Sequence, residues 1–333
     1  MTDSVDTSNR SIEQSWIRRL ILQNRASIGT LVVLLVMMGL FFMGNPKVFS
    51  DWRIYFSVLT VLPVAIFVVV PMVFIVTVGE IDLSFPAVMA FSAWIFALGV
   101  RAGYDPFLCV FAGIVVGIIL GAAIGAVVVY GGLSSLVATL GLSFLIRGAI
   151  LIASSGKSIA FVSLQDTVAY KVFSSTINGF PVQMFWAILF VAFSVVLYNR
   201  HRFGARVHVV GDNPDSAEQM GIDTKRVRVY TFVFMGLGAA LAGMFSTMIN
   251  FTWWPTAGDS YLLPTLAAVF VGGTPTWGGI GTILGGTIGA VIVSFIQGGI
   301  VAAGLDGFYV GFFNGLIIIL SLLGHRWNQI RYR

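Results

Sequence analysis

Long apolar blocks separated by short polar segments recur along almost the whole chain. A helix needs about 20 apolar residues to cross the roughly 30 Å hydrocarbon core of a bilayer. Clear blocks lie at 28–43, 54–78, 107–130, 181–198, 227–249 and 281–303, and shorter or glycine-interrupted ones at 85–100, 133–153, 261–274 and 308–324. The blocks are solidly apolar and do not alternate as barrel strands do. The pattern predicts an all-α, polytopic integral membrane protein with about ten transmembrane helices.

The composition of the 333-residue chain agrees with this prediction. Hydrophobic residues make up 57% and charged residues 10%, whereas a soluble domain carries roughly 25% charged residues. A soluble enzyme, a nucleic-acid binder and a disordered regulator are therefore excluded as the main body. Cys109 is the single cysteine, so an internal disulfide is excluded as well. The three histidines lie in polar segments, and no cysteine and histidine cluster has metal-ligand spacing.

The distribution of positive charge predicts the topology. Residues 1–27 form a polar segment that carries both signs of charge, and no cleavage pattern follows the first apolar block. With the N-terminus in the cytoplasm, thirteen Lys and Arg residues fall in inside segments and five in outside segments. This asymmetry favours an even number of spans with both termini cytoplasmic. The predicted organisation is a cytoplasmic segment at 1–27, a single transmembrane domain at 28–324 with a long inside loop at 199–227, and a cytoplasmic tail at 325–333.

Glycines recur at every fourth position in two of the apolar blocks. Such rows let helix backbones approach closely in a membrane, where the hydrophobic effect does not drive helices together. Packing inside one subunit and packing between subunits both fit the pattern. The two rows are Gly113, Gly117, Gly121 and Gly125, and Gly281, Gly285 and Gly289.

No catalytic machinery is evident in the sequence. Gly156-Lys157-Ser158 ends like a phosphate-binding loop, but Leu151 stands where that motif needs its first glycine. Carboxylates are few and scattered, and no Ser, His and Asp constellation is present. The sequence predicts no catalytic residue, no metal and no cofactor.

The inside loop contains a short helix with its own start and stop signals. Asn213 suits the N-cap, Pro214 the first helical position and Gly221 the left-handed position after the helix. A helix of about seven residues is too short to persist alone in water. Either the membrane body or a partner protein should therefore hold it.

Two carboxylates, Glu80 and Asp82, lie between apolar runs, followed by Ser84, Phe85 and Pro86. Irregular backbone at membrane depth is tolerated only against protein or water, and carboxylates there are costly. A cytoplasmic turn that caps helices and an element bordering a translocation path fit equally well. Arg147 is the basic residue within a predicted span and could neutralise one of these acids.

Trp253 and Trp254 lie at a predicted outside boundary. Tryptophans there usually belong to the interfacial aromatic belt. Stacking on a sugar, or contact with a docking protein, would be the functional alternatives.

Four segments together resemble the permease subunit of bacterial ABC-type monosaccharide importers, and the resemblance runs from about residue 55 onward. Matching elements in the expected order are residues 79–84 (GEIDLS), 138–141 with 147–148 (ATLG and RG), 203–206 with 211–214 and 221–222 (FGAR, GDNP and GI), and 267–274 with 278–281 (AAVFVGGT and GGIG). Any one of these motifs alone would be a weak signal.

The resemblance implies an inner-membrane permease that translocates a monosaccharide or related polyol. Its partners would be two cytoplasmic ABC ATPase subunits or one tandem ATPase chain, a periplasmic substrate-binding protein, a second permease subunit, identical or paralogous, and the lipid bilayer. Residues 213–221 would form the helix that docks into the ATPase, with Asn213, Pro214, Ala217, Glu218 and Gly221 as coupling residues. Residues Glu80, Asp82, Ser84, Phe85, Trp253 and Trp254 would border the path.

The chain departs from the family pattern where Glu80 replaces a usual glycine and Phe85-Pro86 replace Val-Gly. The same machine could instead carry nucleosides, autoinducer-type sugars or branched-chain amino acids. An ion-coupled secondary transporter would use unpaired carboxylates at midplane, and only Glu80 and Asp82 qualify. That scheme has no role for the capped inside helix.

Overall fold

The computed structural model describes residues 25–304 and 306–331, which form a bundle of helices. The long helices are α1 (Arg25–Gly44), α3 (Trp52–Thr77), α4 (Phe85–Arg101), α5 (Pro106–Tyr130), α6 (Ser135–Ser154), α8 (Gln183–Asn199), α9 (Arg202–Asp212), α11 (Thr224–Asn250), α12 (Leu262–Val271), α13 (Ile283–Ala302) and α14 (Phe308–Arg331). Most of the predicted cytoplasmic N-terminal segment lies outside the described residues. The predicted tail from residue 325 continues α14 as helix as far as Arg331.

Short elements fill the connections. They are the helices α2 (Pro46–Phe49), α7 (Val168–Phe173) and α10 (Pro214–Gln219), and the strands β1 (Ile159–Ala160), β2 (Thr176–Ile177), β3 (Phe180–Pro181) and β4 (Thr252–Trp253). Strand β1 pairs antiparallel with β4, and β2 pairs antiparallel with β3. The β1–β4 pair fastens the 155–182 connection to the chain that follows α11.

Six helices among the described residues are long and apolar enough to cross a bilayer: α3, α5, α6, α11, α13 and α14. The pair α8 and α9 is bent by 64° and adds a seventh candidate span. Three shorter apolar helices correspond to predicted blocks, at Ile28–Gly44, Phe85–Arg101 and Asp259–Val271. The prediction of a helical, polytopic membrane protein is confirmed, and the count of ten stays a prediction.

Helix α11 lies at the centre of the bundle and packs against α3, α4 and α5. Most of α3 and α11 is buried, whereas only 6% of α14 is fully buried. These two helices are buried on several sides. Their sequences are therefore apolar all round, whereas a surface helix would be apolar along one face only.

Both glycine rows contact helices or loops of the same chain. On α5, a methyl group at Gly121 would overlap the carbonyl oxygen of Phe232 in α11, and one at Gly117 would overlap that of Gly236. On α13, a methyl group at Gly289 would overlap the carbonyl oxygen of Ala268 in α12. Because glycine has no side chain, the helix backbones are in direct contact here, and dispersion forces between them hold the helices together.

Aspartates in the polar connections begin several helices. Asp51 accepts a hydrogen bond from the Arg53 N–H at 2.9 Å, and Asp105 accepts one from the Phe107 N–H at 2.9 Å. Asp223 does the same for Arg226 at 3.0 Å. Each carboxylate satisfies an N–H that has no partner within its helix.

Candidate functional site

The chain leaves helical structure between α3 and α4, and residues 78–84 of this connection are called the break segment here. Gly79 adopts a left-handed conformation with φ of 91°, which side chains other than glycine rarely tolerate. The Ile81 N–H then donates to Oγ of Ser135 at 3.2 Å, and the Leu83 N–H donates to Oγ1 of Thr139 at 3.0 Å. Side chains of α6 thus replace the backbone partners that a regular helix would have supplied.

Asp82 organises the start of α4. Its Oδ1 accepts hydrogen bonds from the Ser84 N–H at 2.7 Å and the Ser84 hydroxyl at 2.5 Å. The carboxyl group is only 2% exposed. A negative charge at this position also faces the positive end of the α4 dipole. Asp82 therefore stabilises the N-terminus of α4. Phe85, the first residue of α4, is fully buried.

Glu80 forms an ion pair with Arg228 near the beginning of α11. The carboxylate is buried, while the arginine side chain is about one-third exposed, at 31%. The suggestion that Arg147 neutralises Glu80 or Asp82 is wrong. The break segment contacts Ser135 and Thr139 at the start of α6, and Arg147 lies twelve residues beyond Ser135, about 18 Å along the helix.

Arg147 instead reaches the loop that follows α11. Its guanidinium donates to the carbonyl oxygen of Pro255 and forms an ion pair with Asp259. The arginine side chain is 13% exposed. This contact ties α6 to the beginning of α12, and 112 residues of sequence separate the two charged partners.

Trp253 is fully buried and belongs to the core. Its indole N–H donates to the carbonyl oxygen of Ala90 in α4 at 2.9 Å, and its ring stacks on Trp94 with centroids 6.1 Å apart. The aromatic-belt interpretation is therefore wrong for Trp253. Like Phe85, it has no surface exposed to an open path in this structure, and Trp254 beside it is half-buried.

A polar contact cluster that the sequence analysis missed joins three parts of the chain, and we call it the junction. The Thr77 hydroxyl contacts the Tyr198 hydroxyl at 2.6 Å, and the Thr77 carbonyl accepts from the Gly279 N–H at 2.8 Å. Nδ1 of His208 lies 2.9 Å from the Gly279 carbonyl oxygen. A methyl group at Gly211 would overlap the Thr77 carbonyl. The junction thus links α9 to the last residue of α3.

The N-terminal signals predicted for the inside helix are confirmed in α10. Oδ1 of Asn213 accepts a hydrogen bond from the Ser216 N–H at 3.0 Å. Pro214 occupies the first helical position, where the lack of an N–H costs nothing.

The predicted left-handed position after α10 is also confirmed. Gly221 has φ of 77°, and its N–H donates to the Glu218 carbonyl at 2.9 Å. The Ile222 N–H donates to the Ala217 carbonyl at 3.0 Å. These two bonds form the glycine-dependent motif that closes a helix at its C-terminus.

The outward face of α10 differs from the predicted one. Ala217 is fully buried against the chain's own core, because the helix lies flat on the bundle. Ala217 cannot therefore present the docking surface proposed for it. The Met220 side chain is 69% exposed, and Asp215 and Gln219 are exposed beside it. The exposed Glu218 accepts a hydrogen bond from the Thr224 hydroxyl at 2.7 Å.

Among the described residues, no group of three or more His, Cys, Asp or Glu side chains is arranged to hold a metal ion. The polar groups named in the break segment and the junction each have a partner within the chain. These contacts join the break segment to α6 and α11, and the junction joins α3 to α9.

A family model described as "Branched-chain amino acid transport system / permease component" matches residues 54–322 of this chain. The matched range begins in α3 and ends in α14. It contains the break segment, the junction and α10.

Curated proteins similar to this chain include sugar permeases. The ribose import permease protein of Bacillus subtilis (strain 168) is 34% identical over 253 residues, covering 76% of this chain and 78% of that protein. The D-allose transport system permease protein of Escherichia coli (strain K12) is 30% identical over 295 residues, covering 88% and 90%. The ribose import permease protein of Haemophilus influenzae is 29% identical over 300 residues, covering 89% and 92%.

The Glu80–Arg228 pair predicts a measurable coupling between the break segment and α11. Glu80→Gln leaves a partly buried guanidinium without its carboxylate and should lower the free energy of unfolding by about 2 kcal/mol, less than for a fully buried pair because Arg228 is partly exposed. Arg228→Gln should cost a similar amount. The double variant should cost clearly less than the sum of the two, as thermal unfolding of the purified chain in detergent would show.

Arg226→Gln is the matched control, because Arg226 pairs with Asp223 while both side chains remain more than half exposed. Exposed pairs contribute less than about 1 kcal/mol. Additive costs of Glu80→Gln and Arg228→Gln would contradict the inferred coupling.

Proposed function

The chain belongs to the family described as branched-chain amino acid transport system / permease component, and from this we propose that it is the membrane-spanning subunit of an ABC importer for a monosaccharide or related polyol. The observation that carries the substrate class is the similarity to import permeases for ribose and allose over three quarters or more of the chain. The chain is a multi-pass protein of the inner membrane. Transport subunits of this kind are not themselves enzymes, and ATP hydrolysis takes place in a partner.

Uptake by the organism that carries this gene tests the cargo. Deleting the gene should reduce uptake of labelled ribose or allose at micromolar concentration at least tenfold, and a plasmid copy should restore it. Uptake of labelled leucine should not change. Because the family description names branched-chain amino acids, reduced leucine uptake with normal sugar uptake would overturn the sugar assignment and favour an amino-acid permease.

The proposed topology has ten spans with both termini in the cytoplasm. The proposal counts the six long helices, the bent α8–α9 pair and the three shorter apolar helices as one crossing each. The shorter ones require that the adjoining non-helical chain also lie at membrane depth. The paired polar groups of the break segment fit that requirement, since unpaired backbone groups are not tolerated in hydrocarbon.

Labelling of single cysteines tests this topology. In a Cys109→Ser background, Gln165→Cys and Gln219→Cys both place the thiol at an exposed position. A membrane-impermeant maleimide added to intact spheroplasts should label position 165 and leave position 219 unlabelled until the membrane is opened. Labelling of both positions from one side would contradict an odd number of crossings between them.

The coupling proposal places α10 in a groove of a cytoplasmic ATPase, supplied as two subunits or as one tandem chain. A periplasmic binding protein would deliver the substrate, and a second permease subunit, identical or paralogous, would complete the path. The exposed Met220 is the apolar anchor that such a groove would bury. Gly221 directly follows Met220 and closes the helix in its left-handed conformation. This cap fixes the backbone at Met220 and therefore the direction in which its side chain points.

The junction offers a route from α10 to the path. Movement of α10 displaces α9, and α9 touches the Thr77 carbonyl through Gly211 and the Gly279 carbonyl through His208. Thr77 is the last residue of α3, directly before the break segment. A docked ATPase could therefore shift the start of α4 without bending any long helix.

Met220→Glu should uncouple transport while the protein still inserts. It places a charge where an apolar anchor is buried, and loss of such an anchor weakens an interface at least tenfold. The measurement is capture of the ATPase by the tagged permease, together with ATP hydrolysis stimulated by the loaded binding protein.

Ile177→Glu is the matched control, because Ile177 is similarly exposed at 64% on the proposed outer face. It should leave both readouts normal. Intact ATPase capture and intact stimulated hydrolysis in Met220→Glu would show that α10 is not the docking helix. This outcome is separable from the cargo result, which depends only on uptake.

A further inference from the structure

A groove of about 730 Å³ opens beside the inside loop, between α5, α8, α9 and α11. Its floor is apolar and is formed by Ile118 of α5, Leu197 of α8, and Phe234 and Leu237 of α11. None of the functions proposed above uses it. No residue of α10 or of the break segment lines it.

The groove faces the lipid side of the bundle. Tyr230, which lines the groove, is 56% exposed, and Phe193, one helical turn from Leu197 on α8, is 55% exposed. Large apolar side chains exposed on a membrane helix contact lipid wherever no second membrane chain covers them. A molecule that enters the groove from the bilayer therefore needs no opening of the protein.

The depth of the groove matches one leaflet. Arg226 at its mouth and Leu237 at its far end are eleven residues apart on α11. At 1.5 Å per residue they are separated by roughly 16 Å along the helix. Half of the hydrocarbon core is about 15 Å thick. An acyl chain that starts at the mouth would reach the bilayer midplane.

The mouth of the groove is positively charged. Arg202, Arg206 and Arg226 line it, and Asp223 is the one carboxylate among the lining residues. Asp223 already pairs with Arg226 at 2.9 Å. Within the described part of the chain, Arg202 and Arg206 form no ion pair. They are four residues apart on α9 and so lie on the same face.

A second groove, of about 500 Å³, continues toward the opposite end of the bundle and supplies an internal comparison. It lies against the same helices α5, α8 and α11, with Ile114, Phe193 and Leu241 among its lining residues. No charged residue lines it. The lipid-facing cleft is thus cationic only at the end that holds α9, which is the end proposed to be cytoplasmic.

We propose that the groove beside the inside loop binds an anionic phospholipid of the cytoplasmic leaflet. The phosphate lies between the guanidinium groups of Arg202 and Arg206, and one acyl chain covers Leu197 and Leu237. A free anion would gain nothing from the apolar floor. A water-soluble partner such as the ATPase could reach the arginines but not a floor at membrane depth. Basic pockets between membrane helices at the cytoplasmic face recognise anionic headgroups in this way.

Native mass spectrometry of the purified, delipidated full chain tests the proposal. Dioleoylphosphatidylglycerol should bind in preference to dioleoylphosphatidylcholine, which has the same chains and no net charge. The variant Arg202→Gln with Arg206→Gln should weaken phosphatidylglycerol binding roughly 30-fold, because each basic side chain near an anionic headgroup contributes about a factor of five or more. High salt should weaken binding to the unmodified chain, since the mouth is exposed.

Two further variants separate the alternatives. Arg200→Gln with Lys225→Gln removes the same charge from neighbouring exposed positions that do not line the groove, and should leave the preference unchanged. Val233→Trp fills the groove and should abolish phosphatidylglycerol binding while both arginines remain. Glycerol 3-phosphate, which has no acyl chain, should not compete.

Three outcomes would overturn the proposal. Equal loss in the two double variants would reduce the effect to general surface charge. Competition by glycerol 3-phosphate would identify a free-phosphate site. The third outcome concerns the variant Arg202→Gln with Arg206→Gln. If this variant binds lipid normally and fails to capture the ATPase, the arginines belong to the ATPase interface.

Discussion

The absence of water from the bilayer core governs this structure, because every backbone N–H and C=O at that depth needs a partner within the protein. Between α3 and α4 the chain stops being helical, and its buried N–H groups still have partners within the protein. The hydroxyl groups of Ser135 and Thr139 in α6 accept hydrogen bonds from the N–H groups of Ile81 and Leu83. The Asp82 carboxylate accepts one from the Ser84 N–H. The short helix α4 can begin inside the bundle only because these side chains supply the missing acceptors.

The need to pair buried polar groups also applies to α6, which makes polar contacts at two positions along its length. Near its start it binds the break segment, and about 18 Å further along Arg147 binds the loop after α11. Much of the remaining surface of α6 is exposed. Helix α6 also packs against α4 and α5, whereas α5 is packed backbone against backbone on α11 through its glycines. The structure thus combines a rigid glycine-packed core with a helix fastened to the two breaks.

Local signals in the sequence predicted local structure well, and long-range partners could not be read from it. The caps of α10 depend on residues within three positions of each other, so Asn213, Pro214 and Gly221 sufficed to predict its ends. The partner of Arg147 lies 112 residues away, and only the packing of α6 against the end of α11 decides it. Trp253 carried the signature of a membrane boundary, but the β1–β4 pairing and the Ala90 carbonyl hold it in the core. Burial of Ala217 likewise follows from how α9 and α11 place α10, which no short pattern encodes.

Charged side chains that form buried ion pairs lie in a different environment from the unpaired arginines that line the groove. Within the described part of the chain, two ion pairs have a buried or nearly buried member, Glu80–Arg228 and Arg147–Asp259, and each joins a long helix to a connecting segment. Desolvating a charge is costly, so these pairs persist only where neighbouring backbone holds both partners in place. Arg202 and Arg206 have no such partner, and they lie at the water boundary beside an apolar groove. An arginine in that position keeps its hydration until an anionic group replaces the water. If the proposed lipid binds there, the bilayer itself stabilises α9, and through α9 the junction that leads to the break segment.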